Sequence, residues 1–135
     1  MQLEPYVFFN GQAEEALTTY ADVFGGKVES LMRYDSSPMA ADAGPDGTKV
    51  MHASFKAPGL AFMAADRLPK HGAAQGDRVA LSLATSDAAE AKRVFERLAD
   101  GGVVEQPLAP PFWGGLFGML TDRYGVDWMV SVFSQ

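Results

Sequence analysis

His52 and Ser54 stand two apart in the run Val50-Met51-His52-Ala53-Ser54-Phe55-Lys56. In an extended strand that spacing puts both side chains on one face with Val50 and Lys56, and sends Met51, Ala53 and Phe55 to the other. If the second set packs under a helix, His52 faces a cleft. An imidazole there serves as a general base or as a ligand anchor at neutral pH. The competing reading is a strand histidine bonded within the sheet or at a subunit contact. The second histidine, His71, follows Pro69-Lys70 in a polar stretch and reads as a solvated loop residue. Nucleophilic catalysis has no support: the chain has no Cys and no G-x-S-x-G, and Ser54 beside His52 is a strand pair rather than a triad.

The aromatic residues are the richer set. Tyr6, Phe8, Phe62, Trp113, Phe117 and Trp128 could line a pocket for a flat or apolar molecule. Trp113 sits between Pro110-Pro111-Phe112 and Gly114-Gly115, outside any regular core position, which suits a pocket lid or a dimer contact. Trp128 also reads as core. Asp122, before Tyr124-Gly125, reads as a turn former through side-chain-to-backbone bonds, and Asp66 as a cap of its loop or a cleft residue. Arg33 reads as a rim salt bridge or as a partner for an anionic ligand.

These residues need a scaffold, and the periodicities supply one. Strands are expected over Leu3–Phe9, Lys27–Tyr34, Val50–Lys56, Leu60–Ala65, Val79–Ala84, Val103–Leu108, Leu116–Thr121 and Asp127–Phe133. In the first, Tyr6 and Phe8 share one face, and Val7 and Phe9 the other. Two helices are expected. Ala13–Phe24 carries its buried stripe at Ala13, Ala16, Leu17, Tyr20 and Phe24, with Asn10 near its N-cap and Gly25-Gly26 at its end. Ala88–Ala99 follows Asp87, with Glu90 completing a capping box. Asp35–Thr48 has no periodicity and reads as a lid-like loop. Ala57-Pro58-Gly59 reads as a hairpin turn.

The chain also repeats itself. Shifted by 75 positions, Ala13, Glu15, Ala16, Gly26 and Val28 meet Ala88, Glu90, Ala91, Gly101 and Val103. Shifted by 66, Gly59, Phe62 and Met63 meet Gly125, Trp128 and Met129. The order β-α-β-β-β thus occurs twice. The fold class is α+β: two βαβββ repeats, about 1–66 and 78–135, forming a curved mixed sheet with a central cleft, most economically as two curved sheets with helices outside, in a single domain spanning 1–135.

Composition narrows the function classes. A net charge of −6 with scattered Lys and Arg argues against a nucleic-acid surface. The absence of Cys excludes disulfides and thiolate metal sites. No apolar run approaches the roughly 18 residues of a membrane span. Met1-Gln2-Leu3-Glu4-Pro5 has no features of a secretory signal, so a cytoplasmic location is expected.

Four stretches carry a family resemblance: Pro5-Tyr6-Val7-Phe8-Phe9-Asn10-Gly11 with Ala13-Glu14-Glu15-Ala16; Gly25-Gly26-Lys27-Val28; Val50-Met51-His52-Ala53; and Phe112-Trp113-Gly114 through Phe117-Gly118-Met119 to Asp122-Arg123-Tyr124-Gly125-Val126-Asp127-Trp128-Met129. On these the chain resembles the vicinal oxygen chelate superfamily of glyoxalase I, extradiol dioxygenases and bleomycin-binding proteins, and within it the PhnB-like branch. The resemblance implies a homodimer. It also implies a place for a metal, held in metal-dependent members by His and Glu on the first and last strands of each half. Those positions fall here on Pro5, on Arg78 or Ala80, and on Met63 and Met129. Proline has no ligand atom, arginine repels a cation and methionine suits only soft metals, so no hard metal and no cofactor is expected. Older labels for the branch mention a ubiquinone methyltransferase, but the chain lacks the Gly-rich strand–helix motif of a doubly wound cofactor site.

The expected function is binding of a small, partly aromatic or apolar molecule in a metal-free cleft. Tyr6, Phe8, His52, Ser54, Met63, Trp113, Phe117 and Met129 are its expected ligand-binding residues. The alternative is a lyase, isomerase or dioxygenase-like enzyme with His52 as its catalytic residue.

Overall fold

β1, Tyr6–Phe9, is short because Pro5 precedes it and Asn10-Gly11 breaks it. It runs parallel to β4, Leu60–Asp66, with Tyr6 opposite Met63 and Phe8 opposite Ala65. β3, Val50–Ala57, pairs antiparallel with β4 through the turn at Pro58-Gly59, where Gly59 takes a positive φ of 77°. β2, Lys27–Arg33, lies outside β3, so the first sheet has the order β1-β4-β3-β2. This computed structural model describes residues 1–38, 40–69, 72, 79–112 and 114–133. His71, Arg78 and Trp113, named above from the sequence, lie outside the described residues.

α1, Ala13–Phe24, covers one face of this sheet. Its Ala13, Ala16, Leu17, Tyr20 and Val23 are buried. The Tyr20 ring meets Phe9 and Phe62 at 6.5 and 6.1 Å. Val23, rather than Phe24, completes the buried stripe. Gly25 closes the helix in the left-handed region, at φ 68°. Gly26 must then stay bare, since a Cβ there would stand 2.5 Å from the Lys56 carbonyl oxygen. The helix start differs from expectation. Its cap position is Gln12, which makes no side-chain cap bond. The Asp66 carboxylate, arriving from β4, accepts instead from the backbone N–H of Gly11, Ala13 and Val50 at 2.9–3.0 Å. One buried carboxylate thereby fastens the helix entry to the start of β3, and Asp66 is a structural anchor inside β4 rather than a loop cap or a cleft residue.

The stretch expected to be one loop is built of short helical turns over Tyr34–Ser36, α2 at Ala40–Ala43, and Gly44–Asp46. Tyr34, Ala43 and Leu68 form a small satellite core with Met51 against it, and the Tyr34 hydroxyl donates to the Asp66 carbonyl at 2.8 Å. Turns this short carry no usable 3.6-residue pattern, which is why the sequence reads as irregular.

The second unit repeats the plan. β5, Leu81–Thr85, runs parallel to β8, Asp127–Val132. β7, Leu116–Thr121, pairs antiparallel with β8 and with β6, Val103–Ala109. The order is β5-β8-β7-β6, and α3, Ala88–Ala99, covers one face with Ala91, Val94, Phe95 and Leu98. Asp87 caps α3 as expected, accepting from the N–H of Ala89 and Glu90. The box closes through Thr85, whose hydroxyl donates to Glu90 and accepts from the Asp87 N–H. Asp122 accepts from the N–H of Tyr124 and Val126 and from the Trp128 indole at 2.9 Å, so it is the turn former that the sequence implied.

The architecture is thus α+β, two four-stranded mixed sheets in two repeated βαβββ modules. Chain contacts group into one compact unit over Met1–Ala74 and another over Gln75–Gln135. The registers align the modules strand by strand and correct the repeat. Gly26 and Gly102 both meet the carbonyl of the neighbouring inner strand, and Val28 and Val104 lie opposite Phe55 and Leu120. One extra residue, Asp100, follows α3, so the counterparts of Gly26 and Val28 are Gly102 and Val104, not Gly101 and Val103.

Candidate functional site

Alternation along the first sheet divides its side chains cleanly. Phe9, Ala53, Phe55, Phe62 and Ala64 are buried on the face that α1 covers. Tyr6, Phe8, Met63, Ser54 and His52 point the other way, and the registers make them neighbours: Tyr6 opposite Met63, Met63 opposite Ser54. Five of the eight residues expected to touch a ligand therefore form one patch on the helix-free face. Ser30 and Met32 of β2 extend it, paired with Ser54 and His52. Phe62 and Trp128, also offered above as pocket-lining, belong instead to the helix-covered faces and are 5% and 1% exposed.

The patch is internally organised. Tyr6 Oη and His52 Nδ1 lie 3.0 Å apart, and the imidazole tautomer decides which of them donates. Burial, and after it the neighbouring Tyr34, pushes the Tyr6 hydroxyl above the ordinary tyrosine range, so Tyr6 holds its proton at neutral pH. With Tyr6 donating, Nδ1 accepts and Nε2 carries the imidazole proton. Tyr6 and Phe8 stack at 4.9 Å with ring planes 24° apart, and the His52 ring is tilted against Tyr6 at 5.7 Å. The Arg67 guanidinium stands 5.7 Å over the Phe8 ring. Ser30 and Ser54 hydroxyls share a 2.9 Å hydrogen bond. Tyr6 and Phe8 keep 38% and 47% of their surface exposed, so the stacked pair presents an apolar surface to a contact.

Arg67 and Ser30 were not singled out from the sequence. Continuing the alternation of Met63 and Ala65 by two more residues reaches Arg67. Ser30 had no such signal, because its place depends on the β2–β3 pairing and on a register shift between Val28 and Ser30. Arg33 is committed elsewhere: both Nη atoms bind the Glu14 carboxylate, at 3.1 and 2.7 Å, and Nη1 also donates to the Thr48 carbonyl. That hydrogen bond, with the Arg33 charge adding to it, holds the Glu14 carboxyl below the usual carboxylate range. The rim salt bridge is therefore the reading that holds for Arg33.

On the second sheet Phe117 and Met129 lie on the helix-free face with Ser82, Met119 and Ser131. For a metal, the register sets Tyr6 rather than Pro5 beside Met63, and Ser82 rather than Arg78 or Ala80 beside Met129. Thioethers are soft ligands that hard divalent ions avoid, and one neutral hydroxyl per sheet supplies no charge to hold such an ion. Among the described residues no group of three or more His, Asp or Glu could hold a metal ion.

Comparison with known proteins places the chain. Residues 1–131 match the family described as 3-demethylubiquinone-9 3-methyltransferase. The chain belongs to this family. It is 31% identical to Protein YjdN of Escherichia coli K12 over 144 aligned positions, covering all of this chain and 97% of that protein. It is 39% identical to the crystal structure of protein PA1353 from Pseudomonas aeruginosa, with a TM-score of 0.89, over 100% of this chain and 99% of that one. The structure titled putative 3-demethylubiquinone-9 3-methyltransferase, PhnB protein, from Bacillus cereus is 30% identical, with a TM-score of 0.84, over 98% and 100% of the two chains. A glyoxylase/bleomycin resistance protein/dioxygenase domain from Frankia sp. EAN1pec, at 14% identity and a TM-score of 0.68 over 99% and 98%, shares the fold alone. The PhnB-like branch and the glyoxalase-like fold inferred from the sequence both stand.

The family's name describes a methyl transfer, and the strand–helix junctions do not fit the usual home of such a cofactor. β1 enters α1 through Asn10-Gly11-Gln12 and β5 enters α3 through Ser86-Asp87. Neither is the Gly-rich turn of a doubly wound sheet, and each sheet has a single parallel strand pair.

Proposed function

We propose that this protein binds a small, partly aromatic or apolar molecule, without a metal, on the helix-free face of its first sheet. The observation that carries this reading is the convergence of Tyr6, Phe8, His52, Ser54 and Met63 on one partly exposed patch. Stackable rings beside three hydrogen-bonding groups suit a flat ligand with polar substituents. Phe117 and Met129 offer a second, mainly apolar patch on the other sheet. Trp113 is retained as a ligand-binding residue from the sequence. A homodimer in the cytoplasm completes the reading, and sedimentation at two concentrations tests the dimer.

The Tyr6–His52 hydrogen bond favours one alternative, a lyase- or isomerase-type reaction. In the other tautomer, with Nδ1–H donating to Tyr6 Oη, Nε2 is free to take a proton from a substrate and the Tyr6 O–H is free to give one. A thermal-shift panel of small aromatic and hydroxylated metabolites, run on wild type and His52→Ala, tests both readings. Stabilisation by one chemical class that His52→Ala weakens supports binding at this patch. Turnover lost with binding retained supports the enzyme. No stabilisation by any class, or stabilisation indifferent to His52→Ala and Tyr6→Leu, overturns the placement of the site.

A further inference from the structure

Arg67, Phe8, Tyr6 and His52 form a row in which each member meets the next: guanidinium over ring, ring on ring, ring beside imidazole. The row has a charge direction. Arg67 is a permanent cation at one end, and the other end holds a hydroxyl–imidazole pair that can donate or accept. The Arg67 guanidinium donates from Nε to the Gly72 carbonyl at 3.2 Å, and the Arg67 backbone N–H ties the main chain to the Phe9 carbonyl at 2.8 Å. Lys56 alternates onto the same face, two residues beyond Ser54. None of the residues that the β1, β3 and β4 registers place on this face is a carboxylate, although the whole chain carries −6, and the acid of β2, Glu29, falls at the register shift beside Ser30 on the edge strand. The one acid at the end of these strands, Asp66, is turned to the opposite side and saturated by backbone N–H groups.

A cation-bearing aromatic surface on an acidic protein selects its ligand by charge as well as by shape. We propose, building on the binding site described above, that its ligand class is an aromatic carboxylate. The ring of the ligand lies across the exposed edges of Phe8 and Tyr6. Its carboxylate pairs with Arg67, whose five N–H donors allow a carboxylate alongside existing partners. A polar ring substituent reaches the Tyr6–His52 pair. A cationic aromatic compound meets repulsion at the same place, and a neutral one gains the stacking alone.

The test compares 2-naphthoate with its neutral analogue 2-naphthylmethanol by isothermal titration calorimetry on the full chain. Wild type is expected to bind the acid about tenfold more tightly. Raising salt from about 0.05 to about 0.5 M should erase most of that advantage and leave the alcohol unchanged. Arg67→Gln, whose fold is checked by thermal melting, should bring the acid down to the affinity of the alcohol, and Tyr6→Leu should weaken both. Equal binding of acid and alcohol, with no response to salt, overturns the proposed ligand class while the aromatic patch stands. A preference for the acid that survives Arg67→Gln also overturns it. Failure of both compounds to bind overturns the patch as well.

Discussion

The two modules share one scaffold and differ on the face that the scaffold leaves uncovered by helix. On the covered faces the counterparts are alike in kind: Phe55 and Phe62 in the first, Leu120 and Trp128 in the second, all buried. On the helix-free faces they are not. Aligning Met63 with Met129 sets Tyr6 against Ser82, Phe8 against Ala84, His52 against Phe117 and Ser54 against Met119. The first module concentrates an imidazole, a phenol and stacked rings where the second has small or purely apolar side chains. Packing under a helix constrains volume and polarity tightly, because interiors are dense and buried polar groups need partners. On the other face no helix imposes that demand, and the divergence there is read as a mark of function.

That contrast is broken most severely by emptying the covered faces. Phe62→Ala and Trp128→Ala should each cost about 3–5 kcal/mol in chemical denaturation. Trp128→Ala also removes the indole partner of the buried Asp122. A loss below about 1 kcal/mol at either site would mean that the two covered cores are not equivalent. A subtler member of the same class is Gly118→Ala, at the position matching Ala53. A Cβ at Gly118 would lie 2.7 Å from the Phe95 ring and 3.0 Å from the Leu108 backbone, so a measurable fall in stability is expected.

On the helix-free faces the expected effects move from stability to binding. His52→Ala should weaken a ligand found in the metabolite panel by about tenfold while leaving the melting temperature almost unchanged. Met119→Ala, on the matching face of the second module, should affect that ligand less. The reverse ranking would transfer the functional role to the second module.

Alkaline titration sharpens the comparison further. Burial, first among the causes, raises both Tyr6 and Tyr34, and the Asp66 charge adds to the shift of Tyr34. The folded state therefore keeps these protons after the unfolded chain has released them. Their contribution to stability is complete below the ordinary tyrosine value, about pH 10, and is lost as pH rises through the raised folded values. Tyr6→Phe with Tyr34→Phe should flatten the fall in stability above that point, as read by urea melts across pH. The smallest effect belongs to Glu14→Gln. The exposed Arg33–Glu14 pair is solvent-screened, so the unfolding midpoint should barely move at neutral pH.

How far the sequence reveals this arrangement depends on whether the governing signal is local. Period-two alternation is local, and it placed Tyr6 and Phe8, and likewise His52 and Ser54, on the correct faces. The shift of 66 compares two short segments, and the registers bear it out: Phe62 and Met63 lie opposite Phe55 and Ser54 as Trp128 and Met129 lie opposite Leu120 and Met119. The cap of α1 was not legible, because it comes from Asp66, 53 positions away from Ala13. The Tyr6–His52 bond spans 46 positions and depends on β1 and β3 both flanking β4. Arg67 was within reach of alternation but was hidden by the polar stretch that follows it. The helical turns of Tyr34–Asp46 are too short for periodicity to register.

Amide and methyl NMR of the isotopically labelled protein, titrated with 2-naphthoate or with whichever metabolite the thermal panel selects, locates the ligand residue by residue. Binding on the first sheet gives saturable shift changes centred on Tyr6, Phe8, His52, Ser54 and Met63, with Arg67 at the edge. Changes confined to Phe117, Met119 and Met129, with the first sheet silent, would contradict it.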